Sequence, residues 1–174
     1  TPAAAWEETL PLGNGRIGMM PDGGIDQELV VLNDITMWSG SEDPEAVNPE
    51  ALAYLSEIRE LLLTGKNGEA QRMMYDHFRC GGLGSAFGNG KDAPYGCFQM
   101  LGDLHINYSY PQTEDASNYV RTLSLNDAVA STVFTKGETT YTREYISSHA
   151  DDVLAVRVAA DKKGSVSFEV SLSR

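Results

Sequence analysis

The chain opens by alternating short apolar runs with glycine turns: Arg16-Ile17-Gly18-Met19-Met20, then Asp22-Gly23-Gly24, then Glu28-Leu29-Val30-Val31-Leu32. Runs of that length bounded by glycine predict a strand, a tight turn and a buried strand. The period then changes. Asn48-Pro49 reads as a helix start, with the asparagine as N-cap and the proline at the first helical position, where its missing N–H costs nothing. Ala51, Leu55, Ile58 and Leu62 share one helical face, and Gly65 ends the helix. A second helix is expected from about Gly68 to Phe78, with Ala70, Met73, Met74 and Phe78 on its apolar side. The two make a helical hairpin inserted at about residues 48–79. The glycine-rich stretch from Cys80 to Gly96 has no period and predicts a long surface loop.

From Leu101 onward the period is two. Leu104, Ile106, Tyr108 and Tyr110 fall on one face, with His105, Asn107 and Ser109 on the other. Val129 to Thr135 turns at Lys136-Gly137 into Thr139 to Ile146, a β-hairpin pattern. Val153 to Val158 then turns at Asp161-Lys162-Lys163-Gly164 into Val166, Phe168, Val170 and Leu172, which alternate with polar neighbours. These strands predict an antiparallel meander with one wet face. Short, evenly spaced strands around a small helical insert, with no sustained βαβ alternation, define a mainly β fold, an antiparallel β-sandwich occupying residues 1–174. The last strand runs to Arg174 without a turn signal, so the sandwich is expected to be truncated at its C-terminal end, with partner strands to come from further sequence.

Composition narrows the partners. The 174 residues are 41% hydrophobic, enough for one core, and carry a net charge of -12 with no Lys/Arg cluster. Such a surface repels nucleic acid and anionic membrane, and suits a neutral partner such as a glycan. No segment reaches the ~20 apolar residues of a membrane span. The start at Thr1-Pro2-Ala3-Ala4-Ala5 carries no leader pattern.

Candidate chemistry is sparse. Cys80 and Cys97 flank the glycine-rich stretch, either as a disulfide closing it or as two thiols. Neither lies in a CxxC pair or beside a histidine, so no metal site is expected. His77, His105 and His149 are scattered over a helix, a strand and a turn. Gly13-Asn14-Gly15-Arg16 lacks the Lys-Ser/Thr of a phosphate loop and leads into a strand, so it is read as a tight turn. The acidic pairs Glu7-Glu8, Glu42-Asp43 and Asp151-Asp152 are adjacent, and adjacent residues either point to opposite faces or stand solvated in loops.

Five segments, taken in order, carry a family pattern: Trp6 to Gly18 (WEETLPLGNGRIG), Leu32 to Gly40 (LNDITMWSG), Asn48-Pro49, Leu101-Gly102-Asp103-Leu104 and Tyr141-Thr142-Arg143-Glu144. Across nearly the whole chain they resemble the N-terminal domain of the α-L-fucosidases of glycoside hydrolase family 95. The chain departs from that pattern in following Asp34 with Ile35 and in reading Phe98-Gln99-Met100 where Tyr-Gln-Pro is usual.

The resemblance implies a super-sandwich packed on an (α/α)6 barrel absent from this sequence. It implies that the barrel's carboxylates hydrolyse terminal α-L-fucosides with inversion, which needs an acid and a base roughly 6.5–9.5 Å apart. No segment here matches the barrel motifs, so no catalytic residue and no cofactor is assigned. The implied protein is bacterial, secreted or periplasmic, with a fucosylated glycan as substrate and the barrel as intramolecular partner. A relative acting on α-L-galactosides fits the same motifs. A free-standing carbohydrate-binding module is the rival class, resting on Trp38, Tyr95 and Phe98 on expected loops.

Candidate positions at a cleft edge are Asn33, Asp34, Trp38, Gln99 and Asp103, and Arg16 and Trp38 are candidates for a domain interface. Each has a plainer reading. Trp38 is either a stacking platform for a sugar or a packing anchor. Asn33 and Asp34 either accept sugar hydroxyls or hold a turn. Gln99 and Asp103 either line a cleft or anchor the loop beside them. Arg16 either shapes its turn or reaches a carboxylate with its fork.

Overall fold

In the computed structural model of the chain, residues 1–39, 47–78 and 96–174 are described. They belong to two units, one made of Thr1–Met37 with Met100–Arg174 and the other of Trp38–Gln99.

The first unit is the sandwich. Among the described residues its strands are β1 (Leu12–Gly13), β2 (Ile17–Pro21), β3 (Gln27–Asp34), β4 (Gly102–Tyr108), β5 (Ala116–Ser124), β6 (Val129–Lys136), β7 (Thr139–Ser148), β8 (Val153–Ala160) and β9 (Phe168–Ser173). One sheet has the order β1-β2-β3-β4-β9, the other β5-β6-β7-β8, and all pairings are antiparallel. The expected strand, turn and strand at the N-terminal side are present, with Met19 opposite Leu32 and Pro21 opposite Val30. Gly15, at φ 95°, closes the β1–β2 hairpin in the left-handed region that an L side chain avoids. The alternation then does the rest. Met19, Val30, Ala130 and Tyr145 point into the space between the sheets, and Leu32, Leu104, Leu123, Leu154 and Val156 pack around them.

Two features depart from the pattern reading. Residues 116–124 form β5, which pairs with β6 around a register shift between Ser117 and Val120, with Asn118 at φ 53°. That irregularity breaks the alternation in Ala-Ser-Asn-Tyr-Val and hides the strand. The second departure is a correction: β8 and β9 do not form a hairpin. β8 ends the four-stranded sheet beside β7, whereas β9 crosses over and pairs with β4, Phe168 opposite Tyr108 and Leu172 opposite Leu104. Pairing there sets the apolar row of β9 beside the apolar row of β4, and the Phe168 and Tyr108 rings meet at 5.9 Å. Alternation fixes which face a residue takes but not which strand lies alongside. The apolar row of β9 is nevertheless exposed, at 44% for Phe168, 54% for Val170 and 72% for Leu172, so among the described residues nothing covers this edge of the inner face.

The second unit holds the helical hairpin, α1 (Ala51–Leu63) and α2 (Asn67–His77). Asn48 does not stand directly at the helix start. Its Oδ1 accepts from the Glu50 N–H, and its Nδ2 donates to the His77 carbonyl, so one side chain ties the entrance of α1 to the exit of α2. Ile58 and Ala70 are buried as the spacing requires, while Leu62, Met74 and Phe78, expected on the apolar faces, are exposed. Cys80, Tyr95 and the glycine-rich stretch before Gly96 lie outside the described residues.

Candidate functional site

The leading motif closes one end of the sandwich. The Asn14 Oδ1 accepts the backbone N–H groups of Arg16 and Ile17 at 2.9 Å, which shapes the hairpin tip. Its Nδ2 donates to the Ser148 carbonyl and to Asp152 Oδ1, both at 2.9 Å, joining the tip to the β7–β8 turn of the other sheet. His149 Nδ1 bonds to the Asn14 carbonyl at 3.2 Å. Arg16 donates to Asp152 Oδ2 at 2.9 Å, with 61% and 39% of the two side chains exposed, so the pair fixes geometry and adds little stability. The carboxylate that Arg16 meets therefore belongs to the sandwich itself.

Asp34 ends β3 at the same end of the unit, paired with Ile17 beside Arg16. Its Oδ1 accepts from the Thr36 hydroxyl at 2.6 Å and the Thr36 N–H at 2.8 Å, a side-chain turn of the kind aspartate favours. The Thr36 hydroxyl, then the Thr36 N–H, and to a smaller extent the Arg16 charge hold the carboxyl below its ordinary value. Thr36→Val removes the leading cause, so the Asp34 carboxyl is expected to titrate at higher pH, toward the ordinary aspartate value. A carboxyl-detected NMR titration measures it, and an unmoved midpoint would contradict this account of the turn.

The remaining sequence candidates are dispersed. Asn33 and Asp103 lie on the outward face of the five-stranded sheet, Asn33 opposite Gly18 and Asp103 opposite Val31 and Ser173. Trp38 and Gln99 belong to the other unit. There Trp38 bridges to Phe98, their rings meeting edge to face at 5.9 Å, and the indole is 59% exposed. The Gln99 side chain donates to the Cys97 carbonyl at 3.4 Å, and Ser39 N donates to that carbonyl at 2.8 Å. His77 stacks on Tyr54 at 3.4 Å, and His105 bonds to the Ser173 hydroxyl at 2.9 Å. Among the described residues no group of three or more His, Cys, Asp or Glu is placed to hold a metal.

The least expected cluster is buried. Glu28 and Arg143, 2% and 1% exposed, bridge the two sheets with Arg143 Nη1 donating to Glu28 Oε2 at 3.1 Å. Tyr108 donates to the same oxygen at 2.8 Å, and the Tyr145 hydroxyl donates to the other. Arg143 also donates to the carbonyls of Gly24 and Ile25 and to the Tyr110 hydroxyl, which itself donates to the Ile25 carbonyl at 2.6 Å. The guanidinium stacks on Tyr108, 3.5 Å from the ring centroid. Burial raises the Glu28 carboxyl above the ordinary glutamate value even against the Arg143 charge. It also pushes the Tyr110 hydroxyl up to about 12. The sequence carried a signal for this pair. Glu28 is in phase with Val30 and Leu32, and Arg143 with Tyr141 and Tyr145, so both occupy inward positions.

The described acidic side chains of these clusters are tied to neighbours of the same fold, Asp152 to Arg16, Asp34 to Thr36 and Glu28 to Arg143. That arrangement defines a β-sandwich scaffold with a polar end. A family model described as the N-terminal domain of glycosyl hydrolase family 65 matches residues 1–174, and the chain belongs to that family. It is 30% identical over 171 residues, 98% of its length, to alpha-L-fucosidase 2 of Arabidopsis thaliana. It is 32% identical over 158 residues to the probable alpha-fucosidase A of Aspergillus niger, and 27% identical over 160 to that of Aspergillus oryzae, in each case over 87% of the chain. The chain is thus the N-terminal domain of an α-fucosidase-like glycoside hydrolase, as its motifs implied. It spans 19%, 18% and 20% of the lengths of these relatives.

Proposed function

We propose that the chain is the non-catalytic N-terminal portion of an enzyme that removes terminal α-L-fucose from glycans with inversion, and that it supports a catalytic barrel supplied by further sequence. The observation that carries this reading is the match of nearly the whole chain to relatives named as fucosidases, of which it spans only about a fifth. The exposed apolar row Phe168, Val170 and Leu172 supports it, because a soluble sandwich covers such a row with further strands. The polar end built by Asn14, Arg16 and Asp152 suits a boundary where a second domain docks. A substrate carried on glycans supports a secreted or periplasmic location. The full-length protein on an aryl α-L-fucoside is expected to release β-L-fucose first, followed by proton NMR before mutarotation. Release of the α-anomer first would overturn inversion, and no release would overturn the fucosidase reading.

A further inference from the structure

The outward face of the five-stranded sheet carries a groove that the scaffold role does not use. Its apolar end is a cleft of about 170 Å³ lined by Ala3, Ala5, Trp6, Met20, Leu29 and Val31. Its polar end is a cleft of about 390 Å³ lined by Gln27, Leu29, His105, Asn107 and Ser171. Leu29 and Asp22 line both, so the two run into each other. The sheet register builds the polar end: Gln27 lies opposite Asn107, while Leu29 lies opposite His105, and His105 opposite Ser171. Neighbouring strands about 4.8 Å apart therefore present two amides, an imidazole and a hydroxyl as a flat array. Gln27 and Asn107 are exposed to solvent, and Trp6 stands 55% exposed at the other end.

We propose that this groove binds a stretch of neutral sugar residues, with Trp6 as stacking platform and Gln27, Asn107 and His105 as hydrogen-bonding partners. Rested on the fucosidase reading, it holds the part of the glycan remote from the fucose. A sugar ring has an apolar C–H face and a rim of hydroxyls that both donate and accept. An indole meets the first, and amides, which also do both, meet the second. Among the described residues no lysine or arginine lines either cleft, and Asp22 lies in both, so an anionic ligand is disfavoured.

The test is calorimetric titration of the full-length protein with cellohexaose, xylohexaose and mannohexaose, all free of fucose. Saturable binding of at least one is expected, weakened tenfold or more by Trp6→Ala and by Gln27→Ala combined with Asn107→Ala, and retained by Trp6→Phe. Turnover of an aryl α-L-fucoside by the same variants is expected to stay within twofold of wild type. Absence of binding to all three probes, binding indifferent to Trp6→Ala, or binding lost instead on Trp38→Ala would overturn the proposal. Binding without any fucoside turnover would sink the hydrolase reading and leave the groove standing.

Discussion

Arg143→Met is expected to lower the unfolding free energy by about 3–5 kcal/mol, because removing one partner of a buried pair leaves the other charge uncompensated. Among the described residues Glu28 then keeps the two tyrosine hydroxyls as side-chain donors, while the carbonyls of Gly24 and Ile25 and the Tyr110 oxygen lose their guanidinium. Urea titration followed by tryptophan fluorescence reads the loss as a lower midpoint at unchanged slope. The pair itself is not a large net stabiliser, since burying both charges costs much of what their attraction returns. Combining Arg143→Met with Glu28→Gln is therefore expected to regain part of the loss, as a neutral amide still accepts from one tyrosine. The pH dependence has a definite sign. A carboxyl held above its ordinary value in the fold weakens the fold as pH rises through that raised value. Wild type should accordingly lose ground to Glu28→Gln as pH climbs from the ordinary value of 4.5. Arg143→Met with a loss under 1 kcal/mol would show that the cluster is not the brace between the sheets.

Gly24→Ala is expected to cost about 1–3 kcal/mol, through overpacking in the same region. A methyl there would stand 1.8 Å from the Gln27 carbonyl oxygen and 2.9 Å from its carbon, and backbone has no rotamer by which to yield. The turn from Gly24 to Gln27 must shift, and with it the two carbonyls that receive Arg143. Gly68→Ala serves as the contrast. Among the described residues nothing lies within 4 Å of the added methyl, and Gly68 sits in the first turn of α2, so the helix gains at most about 0.5–1 kcal/mol, the value for a helix interior. Equal effects at the two glycines would mean that backbone entropy, not the Gly24 contact, sets the cost.

The sequence made the sandwich legible because one face of each strand is buried, and that forces period-two alternation through β3, β4, β6 and β7. It made β5 illegible because the irregularity at Ser117–Val120 breaks the alternation, and it mispaired β9 because alternation says nothing about neighbours. The Gly13-Asn14-Gly15-Arg16 tip is a tight turn, as read from its glycines. What one sequence could not supply was the distance information that sets Arg16 against Asp152, 136 residues away. Glu28 is hard to read for a different reason. A charged residue in an apolar run looks like a strand end, until its phase with Val30 and Leu32 is read together with that of Arg143 on a strand more than a hundred residues later.

On the proposed function, this chain supports hydrolysis performed elsewhere in a longer protein. Turnover of an aryl α-L-fucoside by the full-length protein, set beside turnover by residues 1–174 alone, tests it most directly. The expected result is hydrolysis by the first and none above background by the second. Comparable turnover by the 174 residues would contradict it.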